Sequence, residues 1–511
     1  MTDRALRVRQ CRSALDMPAE EFRSLGHMLI EQIADFYDSL PLRPVTRATA
    51  PERLRTLIGT GELAEQGMDA GKLLADVVPM LFENSLHNGH PKFLGYITSS
   101  AAPLGALADL LAAAVNANVA KWELAPVASE IESQTIRWIA DLTGYHRDCG
   151  GLMVSGGTMA NFLAFVAARS AVVPWDIRRS GSHGDRPLLT VYVSKRTHTW
   201  IEKAADVCGV GIEAIRWIGT DGQGRMRLDL LRDRLRTDLA EGCFPFLVVG
   251  TSGNVSTGAV DPLRDLAALC REYGLWFHVD GAYGAAAAVL PEAPDDLHAL
   301  ALADSVAIDP HKWLYCPMEA GCVLTKRKDA LRAAFEFRPD YYHFDEQQSG
   351  VNYYEHGMQN SRAFRALKVW LALRQAGRAG YRDSIRGDIR LAEALFALLA
   401  EHPEFETNSV NLSIVTFRYV PRGLESTQPA AKNYLNTLNR SVLAELQTGG
   451  ELFLSNAIMD GSYLLRACIV NFRTLQQDID AIPSIIAEAG RRLDETMRPT
   501  TLSEDSAAFA A

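Results

Sequence analysis

The sequence lacks paired cysteines, a basic stripe and the apolar core of a signal peptide, and each absence excludes a class of protein. Its eight cysteines contain no C-x-x-C pair, which argues against a disulfide framework or a zinc site and predicts buried thiols in a reducing compartment. The formal charge of −10 argues against nonspecific nucleic-acid binding. The first residues, "MTDRALRVRQCRSALD", have no continuous apolar core, so we expect a cytoplasmic protein.

No stretch of the sequence has the composition of a membrane span. The most apolar one, "AAPLGALADLLAAAVNANVA" at 101–120, carries Asp109, Asn116 and Asn118. One charge and two amides in so short a stretch predict a buried or interfacial helix and not a bilayer-spanning one.

What the sequence does contain is typical of a large soluble protein. Hydrophobic residues make up 48% of the 511 residues and charged residues 22%, which allows a sizeable core and two or three domains. An amphipathic helix is predicted over 18–40. Its pattern fits either an arm that docks on a partner subunit or an N-terminal core helix.

From about residue 150, short β-branched runs alternate with helical segments. The predicted strands are 188–193, 244–250, 275–280 and 305–308. This alternation predicts an α/β fold with a mostly parallel central sheet, whose active site lies at the carboxyl ends of the strands. Beyond about residue 400 the pattern becomes α+β, with strands predicted at 412–420 and 463–470.

These patterns divide the chain into four segments. They are an N-terminal helical and interface segment (1–100), a large α/β domain (101–375), a small C-terminal α+β domain (376–497) and a frayed tail (498–511). One motif is rejected: "GVGIEA" at 209–214 matches a dinucleotide-binding fingerprint, but a helix precedes it and a strand follows it, the reverse of what that fingerprint requires.

Three motifs of the large domain are candidates for chemistry. "MVSGGTMANFLAFVAARS" at 153–170 turns through glycines into a helix, which suits an anion at the helix N-terminus but also fits an ordinary helix capped near Thr158. "WFHVDGAYGAA" at 276–286 ends a strand with Asp280, either a functional acid or half of a buried ion pair. "SVAIDPHKWLYCP" at 305–317 places Lys312 just after a strand, as a catalytic amine or a solvated loop lysine.

Together the three motifs indicate one cofactor. Pyridoxal 5′-phosphate requires a phosphate site at a helix N-terminus, an acid that pairs with its pyridine nitrogen, and a lysine that forms a Schiff base with its aldehyde. The anion cradle, Asp280 and Lys312 occur in that order within one α/β unit. No pattern predicts a metal site.

With these motifs the sequence resembles the pyridoxal-phosphate-dependent group II amino-acid decarboxylases, the family of the aromatic L-amino-acid decarboxylases. "HVDGAY" and "DPHKWL" are its most specific motifs, and the similarity runs from the helix near residue 20 to "LLRACIVNFRT" at 464–474. The resemblance implies a fold-type I, aspartate-aminotransferase-like architecture. It also implies a homodimer with its active site at the subunit interface.

The resemblance also implies roles for single residues. Lys312 would bond to the cofactor and Asp280 would pair with its ring nitrogen, while His198 in "SKRTHTWIEKA" stacks on the ring and Tyr341 in "FRPDYYHFDEQQSG" is the proton donor. Tyr342 is adjacent and is the alternative donor after a one-residue slip. The remaining implied cofactor-binding residues are Gly157, Thr158, Ala282, Ser305 and His311. The implied substrate pocket contains His90, Tyr96, Ile97 and Ala120.

The sequence departs from the family at two places. Gly253-Asn254-Val255 replaces a segment with hydroxyl residues, so a hydroxyl expected near the cofactor's 3-oxygen is absent from that segment. The pocket has Gly89, Ile97 and Ala120 where bulky rings are common, which suits a large side chain such as an indole or a non-aromatic substrate. No arginine stands out as a clamp for an acidic side chain.

The function implied is decarboxylation of an L-amino acid, such as tryptophan, phenylalanine, tyrosine or DOPA, to the amine and carbon dioxide. Two alternatives remain: an aldehyde synthase or a decarboxylase of acidic or other amino acids on the same fold, and a catalytically inactive scaffold. The partners expected are a small-molecule amino acid and a second copy of the chain, with no nucleic acid and no membrane.

Overall fold

A computed structural model describes residues 13, 15–182, 184–337, 350–424 and 429–502 of the chain. Over these residues it contains fourteen α-helices and eleven β-strands. The helices are α1 (Ala19–Ser39), α2 (Pro51–Ile58), α3 (Ala70–Asn84), α4 (Pro103–Val115), α5 (Pro126–Leu142), α6 (Gly157–Val172), α7 (Ile177–Ser180), α8 (Trp200–Val207), α9 (Leu228–Ala240), α10 (Leu263–Tyr273), α11 (Ala330–Phe335), α12 (Ala366–Glu401), α13 (Pro429–Gly449) and α14 (Gln476–Met497). The strands are β1 (Gly150–Val154), β2 (Leu189–Ser194), β3 (Ile215–Ile218), β4 (Phe244–Thr251), β5 (Trp276–Asp280), β6 (Ser305–Ile308), β7 (Gly321–Thr325), β8 (Phe405–Asn411), β9 (Ile414–Tyr419), β10 (Ser455–Met459) and β11 (Ser462–Cys468).

The larger sheet has seven strands in the order β1-β7-β6-β5-β4-β2-β3. The five strands from β6 to β3 are parallel, and β7 pairs antiparallel with both β6 and β1. This confirms the predicted α/β fold with a mostly parallel sheet. The rejected fingerprint at 209–214 lies between α8 and β3, as the sequence predicts.

Most strands of this sheet are buried along their whole length because both faces of the sheet are covered. Every residue of β2, β5, β6 and β7 is buried, and α6 packs on β4 to β7. Parallel strands buried on both faces require this near-continuous Val/Ile/Leu pattern. The polar residues at their carboxyl ends therefore stand out as candidates for chemistry.

The smaller sheet is antiparallel, in the order β10-β11-β9-β8. It encloses a second core together with α12, α13 and α14, containing for example Leu395, Phe417 and Ile482. The predicted strands at 412–420 and 463–470 correspond to β9 and β11.

Helix α12 runs across the predicted boundary between residues 375 and 376. It is kinked at Gly377, whose φ of 61° lies in the left-handed region that glycine tolerates. Of the predicted tail, Thr500–Leu502 forms a short 3₁₀ helix, and residues 503–511 lie outside the described part of the chain. The four-segment division stays a prediction. Among the described residues, no helix is both long and apolar enough to cross a bilayer.

Candidate active site

A cavity of about 610 Å³ lies at the carboxyl ends of β4, β5 and β6. It brings together residues that are separated by up to 370 positions in the chain, counted from Tyr96 to Arg466. The predicted site residues that line it are Tyr96, Ile97, Gly157, Thr158, His198, Asp280, Ala282, His311 and Lys312. Nine of the predicted site residues therefore line one cavity.

Lys312 is held by a carboxylate that the sequence analysis did not single out. Its Nζ lies 2.9 Å from Oδ2 of Asp309, three residues earlier in the turn that follows β6. Burial lowers the pKa of Lys312, but the charge and hydrogen bond of Asp309 outweigh it, so the pKa lies above its ordinary value. Lys312 is therefore an ammonium held in place by Asp309, and it becomes a nucleophile only after it loses a proton.

Asp280 ends β5 with its carboxylate in the cavity. Oδ2 accepts a hydrogen bond from Trp200 Nε1 at 2.8 Å, and Oδ1 accepts one from the backbone N–H of Ala282 at 3.3 Å. Over the described residues no basic side chain forms an ion pair with Asp280, although only 7% of the residue is exposed. A buried carboxylate without a cation suits a cationic ligand group.

The two histidines of the cavity are neutral. Burial lowers the pKa of His198, and its Nδ1 accepts the backbone N–H of Trp200 at 3.3 Å, which leaves its proton on Nε2. Burial also lowers the pKa of His311, whose Nδ1 lies 2.6 Å from the carbonyl oxygen of Ala320. A neutral imidazole can lie against an aromatic ring without adding a positive charge to it.

The start of α6 forms a cradle for an anion. A Cβ added to Gly157 would lie 2.6 Å from Oδ2 of Asp309, so only glycine fits at this position. The first N–H groups of a helix have no acceptor within the helix and carry a partial positive charge. The cradle therefore suits a phosphate, as the sequence predicts for Gly157 and Thr158.

Besides Nε of Arg196, three polar groups at the cavity are buried without a hydrogen-bond partner in the described structure. They are Oγ1 of Thr251, Oδ1 of Asp309, and both Nε and Nη2 of Arg466. Buried polar atoms normally find a partner, so these atoms are suited to a ligand. The sequence analysis missed all three residues.

Two of these residues add a hydroxyl and an arginine to the cavity. The hydroxyl belongs to Thr251, the last residue of β4, whereas in the segment at 253–255 Asn254 Oδ1 accepts the backbone N–H of Thr257 within a turn. Arg466 on β11 is only 2% exposed, and it donates from Nη1 to the carbonyl oxygen of Tyr96 at 3.0 Å and to Ser455 Oγ at 2.9 Å. The position of Thr251 at the end of a strand could have identified it as a site residue. Arg466 offered no such signal, because it lies on a strand of the smaller sheet.

Ser305 was wrongly placed in the cavity. It is the first residue of β6, and the cavity lies at the other end of that strand. Its hydroxyl accepts Trp276 Nε1 at 2.8 Å and lies 2.8 Å from His278 Nδ1, inside the sheet. A phosphate at the start of α6 has no contact with it.

Two other predicted residues, His90 and Ala120, do not line the cavity of the single chain. His90 is buried elsewhere, with Nδ1 accepting the backbone N–H of Lys92 at 3.0 Å, and burial lowers its pKa to about 4. The carbonyl oxygen of Ala120 accepts the backbone N–H of Tyr354 at 3.1 Å. Tyr341 and its neighbour Tyr342 lie outside the described residues, so the choice of proton donor stays a prediction.

Comparison with known proteins identifies the family. Residues 51–420 match the model of the pyridoxal-dependent decarboxylase conserved domain. An aromatic-L-amino-acid decarboxylase from Bacillus atrophaeus is 34% identical over 468 residues, which cover 91% of this chain and 94% of the relative. The chain belongs to this family. It is a pyridoxal-phosphate-dependent amino-acid decarboxylase.

Two further matches extend the comparison. A phenylacetaldehyde synthase from a Rosa hybrid cultivar is 30% identical over 472 residues, covering 90% of this chain and 91% of the relative. The crystal structure of Oryza sativa TDC with PLP and tryptamine superposes with a TM-score of 0.87 at 24% identity, covering 96% of this chain and all of that one. The decarboxylase thus has the expected fold over nearly its whole length.

The cavity fits the cofactor of this family. Asp280 is a buried carboxylate without a cation, Gly157 leaves room at a helix N-terminus, and Thr251 has an unpaired hydroxyl. These features match a pyridinium nitrogen, a phosphate and a phenolic oxygen respectively. The polar groups and the space that line the cavity therefore fit pyridoxal 5′-phosphate.

The turn that carries Lys312 is braced by a buried carboxyl group on α12. Oδ2 of Asp388 accepts Trp313 Nε1 at 2.8 Å and the Tyr315 hydroxyl at 2.7 Å. Burial raises the pKa of Asp388 to about 7, although these two donors oppose the shift. The brace connects the catalytic turn to the long helix shared by both domains.

Asp388→Asn is expected to change how stability depends on pH. The folded state binds more protons at Asp388 than the unfolded state between its ordinary pKa of 3.8 and about 7, so this contribution is present below that window and is lost as the pH rises through it. The variant cannot ionise, so its unfolding free energy relative to wild type should rise by about 2–3 kcal/mol from pH 5 to pH 8. Urea denaturation across this range measures it. The exposed Asp383→Asn on the same helix is the control, and parallel curves for Asp388→Asn and wild type would contradict the prediction.

Proposed function

We propose that this decarboxylase converts an aromatic L-amino acid to the corresponding amine and carbon dioxide. The observation that carries the proposal is Arg466, a buried guanidinium with two unpartnered nitrogens in the same cavity as Lys312 and Asp280. A fork of N–H donors is the geometry that binds a carboxylate. An amino acid offers one carboxylate, and Arg466 would hold it beside the lysine.

The cavity residues take complementary roles in this proposal. When bound, the cofactor supplies a pyridinium ring that accepts the electron pair of the bond broken at Cα. The start of α6 holds the phosphate, Asp280 keeps a proton on the ring nitrogen, and Lys312 holds the aldehyde carbon. Neutral His198 covers one face of the ring and Ala282 the other. Tyr341 is proposed as the residue that returns a proton to Cα.

The side chain of the substrate would face an apolar part of the cavity. Tyr96, Ile97 and Val255 line it, and their surfaces suit a planar ring. The aromatic substrate named for the Bacillus relative supports this choice. No acidic substrate needs to be invoked, because Arg466 is already assigned to the carboxylate that every amino acid carries.

A panel of amino acids tests the substrate class. We expect carbon dioxide release from tryptophan, phenylalanine, tyrosine or DOPA at a rate at least about tenfold above glutamate and cysteine sulfinate, the order that burial of an aromatic side chain supports. Release from glutamate alone would contradict the proposal. An inactive scaffold would release none from any of them.

A second candidate is aldehyde synthesis, because the Rosa relative is a phenylacetaldehyde synthase. The presence of both His198 and Tyr341 supports the amine, since in the family that the sequence resembles their loss is associated with oxidative deamination. Ammonia and hydrogen peroxide formed in amounts equal to carbon dioxide would identify the synthase. Amine without peroxide would identify the decarboxylase.

Arg466→Met is expected to lower kcat/KM about 10- to 100-fold, mainly by raising KM, because the substrate carboxylate loses a charge-assisted pair of hydrogen bonds. Arg466→Lys should fall between the variant and wild type, since it keeps the charge but not the fork. The matched control is Arg473→Met, whose guanidinium packs on Phe472 at 4.6 Å outside the cavity. An unchanged KM in Arg466→Met would contradict the proposal that Arg466 binds the substrate carboxylate.

The decarboxylase is also proposed to be a homodimer. Helix α1 is amphipathic but buries none of its side chains within the chain, and α4 exposes about half or more of each of four apolar residues, namely Leu107, Leu110, Leu111 and Val115. Apolar patches of this kind usually contact a partner. Light scattering should give about twice the 56.1 kDa of one chain.

A cytoplasmic location is supported by the seven described cysteines, none of which forms a disulfide.

A further inference from the structure

Trp200 is a buried residue that contacts both side chains assigned to the cofactor ring. It is 1% exposed and is the first residue of α8, two positions after His198. The first N–H groups of a helix have no acceptor within the helix. The backbone N–H of Trp200 is therefore not used within the helix. It donates instead to Nδ1 of His198 at 3.3 Å.

The indole of Trp200 serves Asp280. Its Nε1–H donates to Oδ2 at 2.8 Å, which is the shorter of the two hydrogen bonds that the carboxylate accepts. The indole is packed edge-on against His278, with ring centroids 5.9 Å apart and planes at 89°. A donor held in this way stabilises the ionised carboxylate and determines which of its lone pairs face the cavity.

We propose that Trp200 is a positioning residue for the decarboxylation reaction. Its indole N–H holds the carboxylate of Asp280 in the orientation that faces the pyridine nitrogen, while its backbone N–H fixes the tautomer of His198. This inference rests on the proposed role of Asp280 as the partner of that nitrogen. One tryptophan thus positions both the carboxylate that faces the ring nitrogen and the imidazole that lies on the ring face.

Trp200→Phe separates this role from simple filling of space. Phenylalanine keeps an aromatic ring and the backbone N–H, so the bond to His198 is retained and only the indole donor is lost. The matched control is Trp276→Phe. Trp276 is also buried, at 5% exposure, and lies on the strand that ends at Asp280, but its Nε1 donates to Ser305 outside the cavity.

The first measurement is the dissociation constant of the apoprotein for pyridoxal 5′-phosphate in a double-mutant cycle with Asp280→Ala. Trp200→Phe should weaken binding about tenfold or more in the wild-type background, as the loss of a hydrogen bond to a charged group predicts. It should weaken binding less than about twofold when Asp280 is already alanine, because the indole then has no acceptor. Trp276→Phe should stay within about twofold of its parent in both backgrounds.

The second measurement is the visible absorption of the loaded protein as a function of pH. Because the indole N–H holds the carboxylate that faces the ring nitrogen, its loss should change the pH dependence of the cofactor's absorption in Trp200→Phe but not in Trp276→Phe. The titratable groups that act electrostatically on Asp280, namely His198, His278 and Lys312, are unaltered in both variants.

The outcomes separate this inference from the proposed function. If Asp280→Ala binds the cofactor as tightly as wild type, the assignment of Asp280 itself is wrong. If Asp280→Ala weakens binding but Trp200→Phe behaves like Trp276→Phe, or loses the same factor in both backgrounds, only the role of Trp200 is overturned. Thermal unfolding of the apoproteins shows whether each variant folds. If Trp200→Phe does not, a chain carrying 3-benzothienylalanine at position 200, which replaces the N–H by sulfur at nearly constant shape, is judged by the same criteria.

Discussion

Lys312→Ala is expected to lose at least about 10³-fold in the rate of carbon dioxide release, even with saturating cofactor, because removal of a nucleophile that works with its neighbours as a unit has effects of this size. Lys312 is the only lysine among the described residues that line the cavity. Its Nζ is held 2.9 Å from Asp309. Among the residues that the structure describes, no other amine lines this cavity.

Covalent trapping measures this directly. Borohydride should attach the cofactor to Lys312 in wild type, as read by mass spectrometry of the peptide, and should attach it to no residue in Lys312→Ala. The matched control is Lys368→Met, since Lys368 is also buried but its Nζ binds Asp109 at 3.1 Å outside the cavity. Trapping at another lysine, or a rate in Lys312→Ala above about one-tenth of wild type, would overturn the assignment.

Asp280→Ala is expected to lower the rate about 10²- to 10³-fold at saturating cofactor. The charge that develops when the bond at Cα breaks is stabilised by a proton on the ring nitrogen, and Asp280 is the carboxylate that would hold that proton. Removal of one group that stabilises developing charge in a closed site costs a factor of this order. The rate of carbon dioxide release by Asp280→Ala and by wild type is measured at several cofactor concentrations. This series separates weaker binding of the cofactor from a slower chemical step.

A cofactor analogue provides the matched control for Asp280. In the analogue a C–H group replaces the ring nitrogen, so Asp280 has no proton to hold. Wild type loaded with the analogue should be as slow as Asp280→Ala loaded with the natural cofactor, and the variant should lose little further when given the analogue. If Asp280→Ala slows both forms by the same factor, the carboxylate acts on some other atom.

The site residues that could be predicted from the sequence are those with a local signal at the end of a strand or the start of a helix. Asp280 ends a buried strand, Lys312 lies in the turn after the next strand, and Gly157 and Thr158 are the first residues of a helix. In a parallel sheet the carboxyl ends of the strands meet at one edge, so residues with these local patterns are brought together by any fold of this class. Ser305 shows the limit of the method, because it precedes its strand and so lies at the opposite edge.

Other site residues carry no local signal. Trp200 opens a helix with an ordinary amphipathic pattern, and an indole buried in a core has the same sequence signature as one that binds a carboxylate. Asp309 resembles a turn residue after a strand, and only the 2.9 Å contact shows that it holds Lys312. Its effect on the pKa of Lys312 depends on distance and burial, which no spacing of residues reveals.

The sequence by itself predicted the fold class and the cofactor, and it indicated Asp280 and Lys312 as the residues on which the cofactor chemistry would depend. Each of these predictions follows from residue types next to one strand or helix. Only the tertiary structure decided which further polar groups face the cavity. Arg466 lies on the sheet of the smaller domain, 154 positions after Lys312 in the numbering of the chain, and it reaches the cavity because that sheet packs beside the carboxyl ends of the parallel strands. Its free nitrogens exist because the packing buries a guanidinium and supplies partners for only part of it.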